Sequence, residues 1–294
     1  MTDIVLPFMV EASGFRGRVV RLDDALDQIL QAHHYAVPIS KLTAEVTTMC
    51  VLLGSMLKYD GIFTLQVQGD GPVKMLVSDF TSGGDIRACA TISKDLKISA
   101  DAPLMGKGYM AFTVDQGENT ERYQGIVELK NDSLLESMQS YFTQSEQIRT
   151  GTRLAVGLVD GRWRGAAIMI QNMPEEGGVA AVSEGMGVSE AEDHWRRAMI
   201  LLQTCTDEEL LSALLTPEEL LFRLFHEDGV RVFEPRVLQK GCRCTMEKVE
   251  GVLRTLSADD IAHITENGKI TMTCEFCSRA FDFDPAEIGR NIKA

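Results

Sequence analysis

Positive charge is in short supply: 29 Lys and Arg stand against 43 Asp and Glu, for a net charge of -14. No stretch gathers the bases into the positive surface that nucleic-acid phosphates require. Long apolar runs are missing as well. The longest, such as Cys50 to Leu53, fall far short of the ~20 residues that span a bilayer. The opening Met1-Thr2-Asp3-Ile4-Val5-Leu6-Pro7 has no basic residue, and its apolar run is too short for a secretory signal. These absences predict a cytoplasmic protein whose partners include neither nucleic acid nor membrane. Signatures of common catalytic machinery are also absent: there is no G-x-x-x-x-G-K-[ST], no H-E-x-x-H and no G-x-S-x-G. Adjacent carboxylates such as Asp259-Asp260 fit a solvated surface, so no catalytic residue is assigned and no enzyme is expected.

The composition that remains, 45% hydrophobic and 24% charged over 294 residues, is that of a globular chain with room for more than one folding unit. Segments 14–22, 62–68, 73–80, 86–92, 110–114, 123–129, 154–159 and 164–171 alternate or run β-branched and aromatic, and turn signals such as Gly69-Asp70-Gly71-Pro72 separate them. Helical periods fall at 23–34, 40–58 and 133–147, the last opened by Ser133-x-x-Glu136. Strands and helices come in blocks rather than in βαβ alternation, which predicts an α+β domain over 1–178.

After Met173-Pro174-Glu175-Glu176-Gly177-Gly178 the character changes. Residues 175–234 hold 14 acids and 4 bases, and Ser189-x-x-Glu192, Thr206-x-x-Glu209 and Thr216-Pro217-x-Glu219 read as capping boxes. Three or so short helices should fill 189–227. Their apolar faces (Trp195, Met199 and Leu202; Leu210, Leu211, Leu214 and Leu215; Leu220, Leu221, Leu224 and Phe225) are too large to leave in water. Short acidic helices cannot bury such faces alone, so 179–235 should be a marginally stable helical linker docked on the preceding domain. Pro235 marks the next boundary, and 236–294 should form a small C-terminal unit.

Most of the chemistry lies in that last unit. Seven cysteines in a reducing cytosol are free, reactive or metal-bound rather than structural disulfides. Cys50, Cys89 and Cys205 stand alone in apolar sequence and read as small core residues. Cys242-x-Cys244 and Cys274-x-x-Cys277, 29 residues apart, instead match a tetrahedral zinc site built from two tight turns. A closed four-sulfur shell leaves no position for substrate, which indicates a structural or regulatory metal. His226 and His263 are the alternative ligands, each on a helical stretch where a lone histidine suits surface or packing. Cys274-Glu275-Phe276-Cys277 by itself could be a thioredoxin-type redox pair, but it opens no helix after a first strand and leaves the C-x-C unexplained.

Tyr123-Gln124-Gly125-Ile126-Val127-Glu128-Leu129, Ser145-Glu146-Gln147, Leu224-Phe225-His226-Glu227, Val230-Arg231-Val232-Phe233-Glu234-Pro235 and the two cysteine pairs together resemble the 33 kDa heat-shock chaperone family, nearly end to end. The resemblance implies an α+β core, a metastable linker and a C-terminal redox switch in a redox-regulated holdase that needs no ATP. It implies that Cys242, Cys244, Cys274 and Cys277 hold one zinc in the reduced, inactive state. Oxidation would then pair Cys242 with Cys244 and Cys274 with Cys277, release the metal, unfold switch and linker, and yield an active homodimer that holds unfolding client proteins.

Overall fold

The computed structural model describes residues 2–93, 103–117, 123–130, 133–172 and 188–290. The chain divides into two compact units, Met1–Lys240 and Gly241–Ala294. The change of character at 173–178 and the expected boundary between 178 and 179 lie outside the described residues.

The larger unit runs Ile4–Val10 (β1), Phe15–Leu22 (β2), Asp24–Gln31 (α1), Val37–Met56 (α2), Ile62–Gly69 (β3), Val73–Thr81 (β4), Asp85–Ile92 (β5), Gly108–Asp115 (β6) and Tyr123–Glu128 (β7). It continues with Leu134–Tyr141 (α3), Arg149–Val159 (β8), Arg162–Asn172 (β9), Val188–Thr204 (α4), Asp207–Leu211 (α5), Pro217–Phe225 (α6), Val230–Val232 (β10), Arg236–Val237 (β11) and Gln239–Lys240 (β12). One sheet has the order β10-β1-β2-β9-β8, with β11 also on β1; the other has the order β12-β5-β4-β3-β6-β7. All pairings are antiparallel except β12 with β5. Blocks of strands around a few helices are the α+β architecture the sequence predicts.

Helix α2 packs against strands of both sheets. It is the one described helix long and apolar enough to cross a membrane, and 72% of that stretch is buried inside the protein, as befits a core helix. Its threonines can be buried because Thr43, Thr47 and Thr48 donate their hydroxyls to the carbonyls of Ile39, Thr43 and Ala44 at 2.7–2.8 Å. The tight β8–β9 hairpin turns on Asp160 and Gly161, both at positive φ (52° and 77°), the conformation that matches strand twist and that Asp-Gly tolerates.

The strand period of two sorts the first sheet's side chains between two cores. Val5, Val20, Leu22, Ala167 and Met169 join α2 in the main core. Leu6, Phe8, Val10, Val19, Ala166, Ile168 and Ile170 face the opposite way, where the helical segment 188–225 covers them.

Several local expectations change. Strand β1 occupies the N-terminal apolar residues, where the sequence pattern predicts no strand. The helix expected over 133–147 ends at Tyr141 and continues as one wide π-helical turn, Phe142–Glu146. The extra residue brings the Glu146 carboxylate to the hydroxyls of Tyr123 (2.9 Å) and Tyr141 (2.5 Å). Helix α4 already includes Val188, one residue before Ser189, whose side chain lies outside the described residues. The boxes at Thr206/Glu209 and Thr216/Glu219 both form reciprocally.

The smaller unit holds Met246–Leu253 (α7), Ala258–Ile264 (α8), the hairpin Ile270–Thr273 (β13) with Ala280–Phe283 (β14), and Pro285–Arg290 (α9). Ser257 caps α8 reciprocally with Asp260. Its hydrophobic cluster is small, with Leu253, Ile261, Ile270 and Ile288 at the centre.

Candidate metal centre and linker dock

The segment Cys242-Arg243-Cys244 leads into α7, whose first turn is held by the Thr245 side chain accepting from the Lys248 N–H. Cys274 and Cys277 sit in the turn of the β13–β14 hairpin. There the Cys274 N–H donates to the Arg279 carbonyl (2.9 Å) and the Ser278 N–H to the Cys274 carbonyl (2.8 Å). Ser278 closes the turn in the left-handed region, at φ 57°. The two turns bring the four Sγ atoms within 4.8 Å of one another. Cys242 lies 3.4 Å from Cys244 and 3.7 Å from Cys274, and Cys244 lies 3.5 Å from Cys277.

Sulfurs about 2.3 Å from a central zinc sit roughly 3.8 Å apart at the corners of a tetrahedron. A disulfide needs about 2.05 Å. The observed spacing fits the first arrangement, and all four thiols are free and half-buried. Burial pushes the Cys242 thiol up, but the Cys244 N–H and the thiols of Cys244, Cys277 and Cys274 outweigh it and bring the group down to about 7. Burial, then the thiols of Cys242, Cys277 and Cys274, push Cys244 up, and burial raises Cys277. A cluster of four thiols this close could hold a metal ion. Among the described residues it is the one group of His, Cys, Asp or Glu gathered closely enough to do so. Neither histidine joins it: His226 Nδ1 lies 3.1 Å from the Phe222 carbonyl, and His263 is exposed on α8.

The three solitary cysteines are buried. The Cys50 thiol donates to the Ser78 carbonyl at 3.1 Å. Cys205 lies in the second core, its thiol pushed up to about 11 by burial and then by Glu209.

That second core is where the helical segment 188–225, expected from the sequence to be a linker, packs on the first sheet. Leu202, Leu210, Leu215, Leu220, Leu221, Leu224 and Phe225 are buried against the sheet, and Phe225 stacks on Phe8 with centroids 6.2 Å apart. Gly151 on β8 makes room for α4: a Cβ there would lie 2.2 Å from Met199 Sδ. Leu214 was expected in the apolar face but is 94% exposed. The Ser212 hydroxyl accepts from the N–H groups of both Leu214 and Leu215, making a tight turn that leaves Leu214 outside and puts Leu215 in the core.

Polar contacts that pattern reading missed tie the same segment down. On β8, Arg149 pairs with Glu192 (2.8 Å) and lies over the Trp195 ring, and Arg153 pairs with Asp207 (2.7 Å). Arg21 and Arg164, both buried, reach backbone carbonyls of α5 and its cap. The available signal was an arginine between Val20 and Leu22, which alternation puts on the face opposite them without saying what covers that face.

After α6 the chain returns along β1 as β10 and β11 and crosses to the second sheet as β12. A family model described as Hsp33 protein matches residues 3–284. The 33 kDa chaperonin of Caulobacter vibrioides is 36% identical, the match covering 97% of this chain and 96% of the relative, and that of Proteus mirabilis is 34% identical over 97% and 95%. The crystal structure of the 33 kDa chaperonin (heat shock protein 33 homolog) from Thermotoga maritima superposes with a TM-score of 0.82, covering 100% of this chain and 98% of that one. At 17% identity it speaks to the fold. With the family model and the relatives matching nearly end to end, the chain belongs to the Hsp33 family, the heat-shock chaperones known as 33 kDa chaperonins.

Proposed function

We propose that this chaperone is an ATP-independent holdase switched by the thiols of its smaller unit. The observation that carries the reading is the convergence of four sulfurs from two turns in a unit with few buried side chains of its own. Reduced, Cys242, Cys244, Cys274 and Cys277 hold one zinc ion, which when bound supplies the cross-links that a small core lacks. Two equivalents of peroxide take two electrons from each pair of thiolates, Cys242 with Cys244 and Cys274 with Cys277, giving two disulfides, while each O–O bond breaks to two hydroxides that solvent protonates to water. Sulfurs joined in this way are no longer thiolate ligands.

With its ligands consumed, the switch 236–294 loses its fold and the linker 179–235 leaves the core domain 1–178. The acidic linker favours release, because its own charges repel once the arginines of β8 no longer face them. Release uncovers the apolar face built from Leu6, Phe8, Val10, Val19, Ile168 and Ile170, a patch that captures unfolding clients and pairs two chains into the active homodimer. The site of action is the cytoplasm, where reduced thiols are the resting state. Light scattering of a thermally unfolding protein tests the reading: the peroxide-treated chaperone should suppress aggregation without ATP and the reduced one should not. Equal suppression by both forms would sink it.

A further inference from the structure

Two buried guanidinium groups on the linker-facing side of the first sheet both end on the backbone of α5. Arg21 is 1% exposed. Its Nη1 donates to the Ser212 carbonyl at 2.8 Å and its Nη2 to the Glu209 carbonyl at 3.1 Å. From the neighbouring strand Arg164 donates through Nη1 to the Leu211 carbonyl at 3.4 Å, while its Nε lies 3.4 Å from Asp23 Oδ1.

We propose that Arg21 and Arg164 form a carbonyl clamp that sets how readily the linker undocks, and with it the threshold of activation; the inference rests on the regulated-holdase reading above. A helix leaves its last carbonyls without intrahelical donors and gathers partial negative charge there. In a helix as short as Asp207–Leu211 those carbonyls are a large share of the backbone, and the helix cannot persist undocked. The planar guanidinium fork can serve two carbonyls at once, which an ammonium does less well.

The clamp differs in kind from the ion pairs beside it. Arg149–Glu192 and Arg153–Asp207 are partly exposed, screened by salt and individually weak. The clamp's arginines are buried, and their part-buried bonds are directed at backbone. Removing the Arg21 guanidinium leaves the Glu209 and Ser212 carbonyls without these donors only while the linker is docked, since after release water serves them. The penalty therefore falls on docking. Arg21 and Arg164 are positioning residues: they hold the linker and touch no metal ligand.

Amide hydrogen exchange on the reduced, zinc-loaded, full-length protein tests the clamp. In Arg21→Met, exchange across 188–225 should quicken at least tenfold, while zinc content and exchange in β3, β4 and β6 stay as in the unaltered protein. Arg21→Lys, able to keep one of the two bonds, should fall between. Should Arg21→Met not accumulate as folded protein, Arg21→Lys and Arg164→Lys carry the same reading. Unchanged exchange across 188–225 in the folded variants overturns the proposal. So does acceleration in β1, β2 and β9 equal to that in the linker, which would make Arg21 a fold residue. The same reduced variant should suppress aggregation of heat-treated malate dehydrogenase; a linker that opens without holding that client upholds the clamp and refutes the holdase reading instead.

Discussion

Phe225→Ala offers the sharpest test of the dock, because the adjacent turn of the same helix supplies its control. Phe225 is fully buried and stacks on Phe8, whereas Phe222 is 63% exposed. Truncating a buried phenylalanine costs about 3–5 kcal/mol, and an exposed one within about 0.5 kcal/mol. If that cost falls on docking, about 4 kcal/mol multiplies the undocked population by about 10³, at 1.4 kcal/mol per factor of ten. Phe222→Ala should change it about twofold at most. Trp195 reports the event directly, since it lies edge-on to Phe15 at 5.3 Å and beneath Arg149. In a Trp163→Phe background its emission should already be red-shifted in reduced Phe225→Ala without denaturant, or its urea transition should move down by more than 1 M for a segmental slope of about 1 kcal/mol/M. Phe222→Ala should follow the parent. Coincident curves for the two variants would refute the reasoning, as would loss of the linker signal only together with global unfolding.

Metal analysis of the reduced protein should find one zinc per chain, and the double substitution Cys242→Ser/Cys274→Ser should abolish it; full zinc content in the double variant would dismiss the proposed ligands. Peptide mapping after peroxide should recover Cys242–Cys244 and Cys274–Cys277 disulfides, and crosslinks between the two motifs as the main product would contradict the pairing. Cys205, buried under the linker with its thiol pushed up to about 11, should resist alkylation at pH 8 in the reduced protein and react quickly once oxidation or Phe225→Ala opens the dock. Because docking raises this thiol above its ordinary value of about 8.5, the docked state holds the proton longer. The contribution to docking is intact below about pH 8.5 and declines as pH rises toward 11. Trp195 emission that is flat from pH 8 to 10 in the reduced protein but pH-dependent in Cys205→Ala would count against that assignment.

Sequence alone determined what depends on local chemistry. The strands of both sheets except β1 and the short late ones, the reciprocal caps at Thr206 and Thr216, and the four-thiol pattern are written in periods of two or 3.6 and in spacings a few residues long. The apolar faces around Leu210, Leu220 and Phe225 showed that the linker must dock, because exposed area of that size is unfavourable whatever covers it. Only the tertiary structure decided what it docks on and by which contacts. Alternation along β1, β2 and β9 says that two faces exist, but not that α2 takes one and the linker the other. Leu214 reads as core by helical period yet lies in a turn that the Ser212 hydroxyl directs outward. Arg21 is the clearest case. A charge among apolar residues carries no sign in the sequence of which acceptor satisfies it, because its partners are backbone carbonyls about 190 residues away, and every residue type carries a carbonyl. Long-range pairing to main chain is set by how the elements pack, so it becomes visible only once the sheet and α5 are in contact.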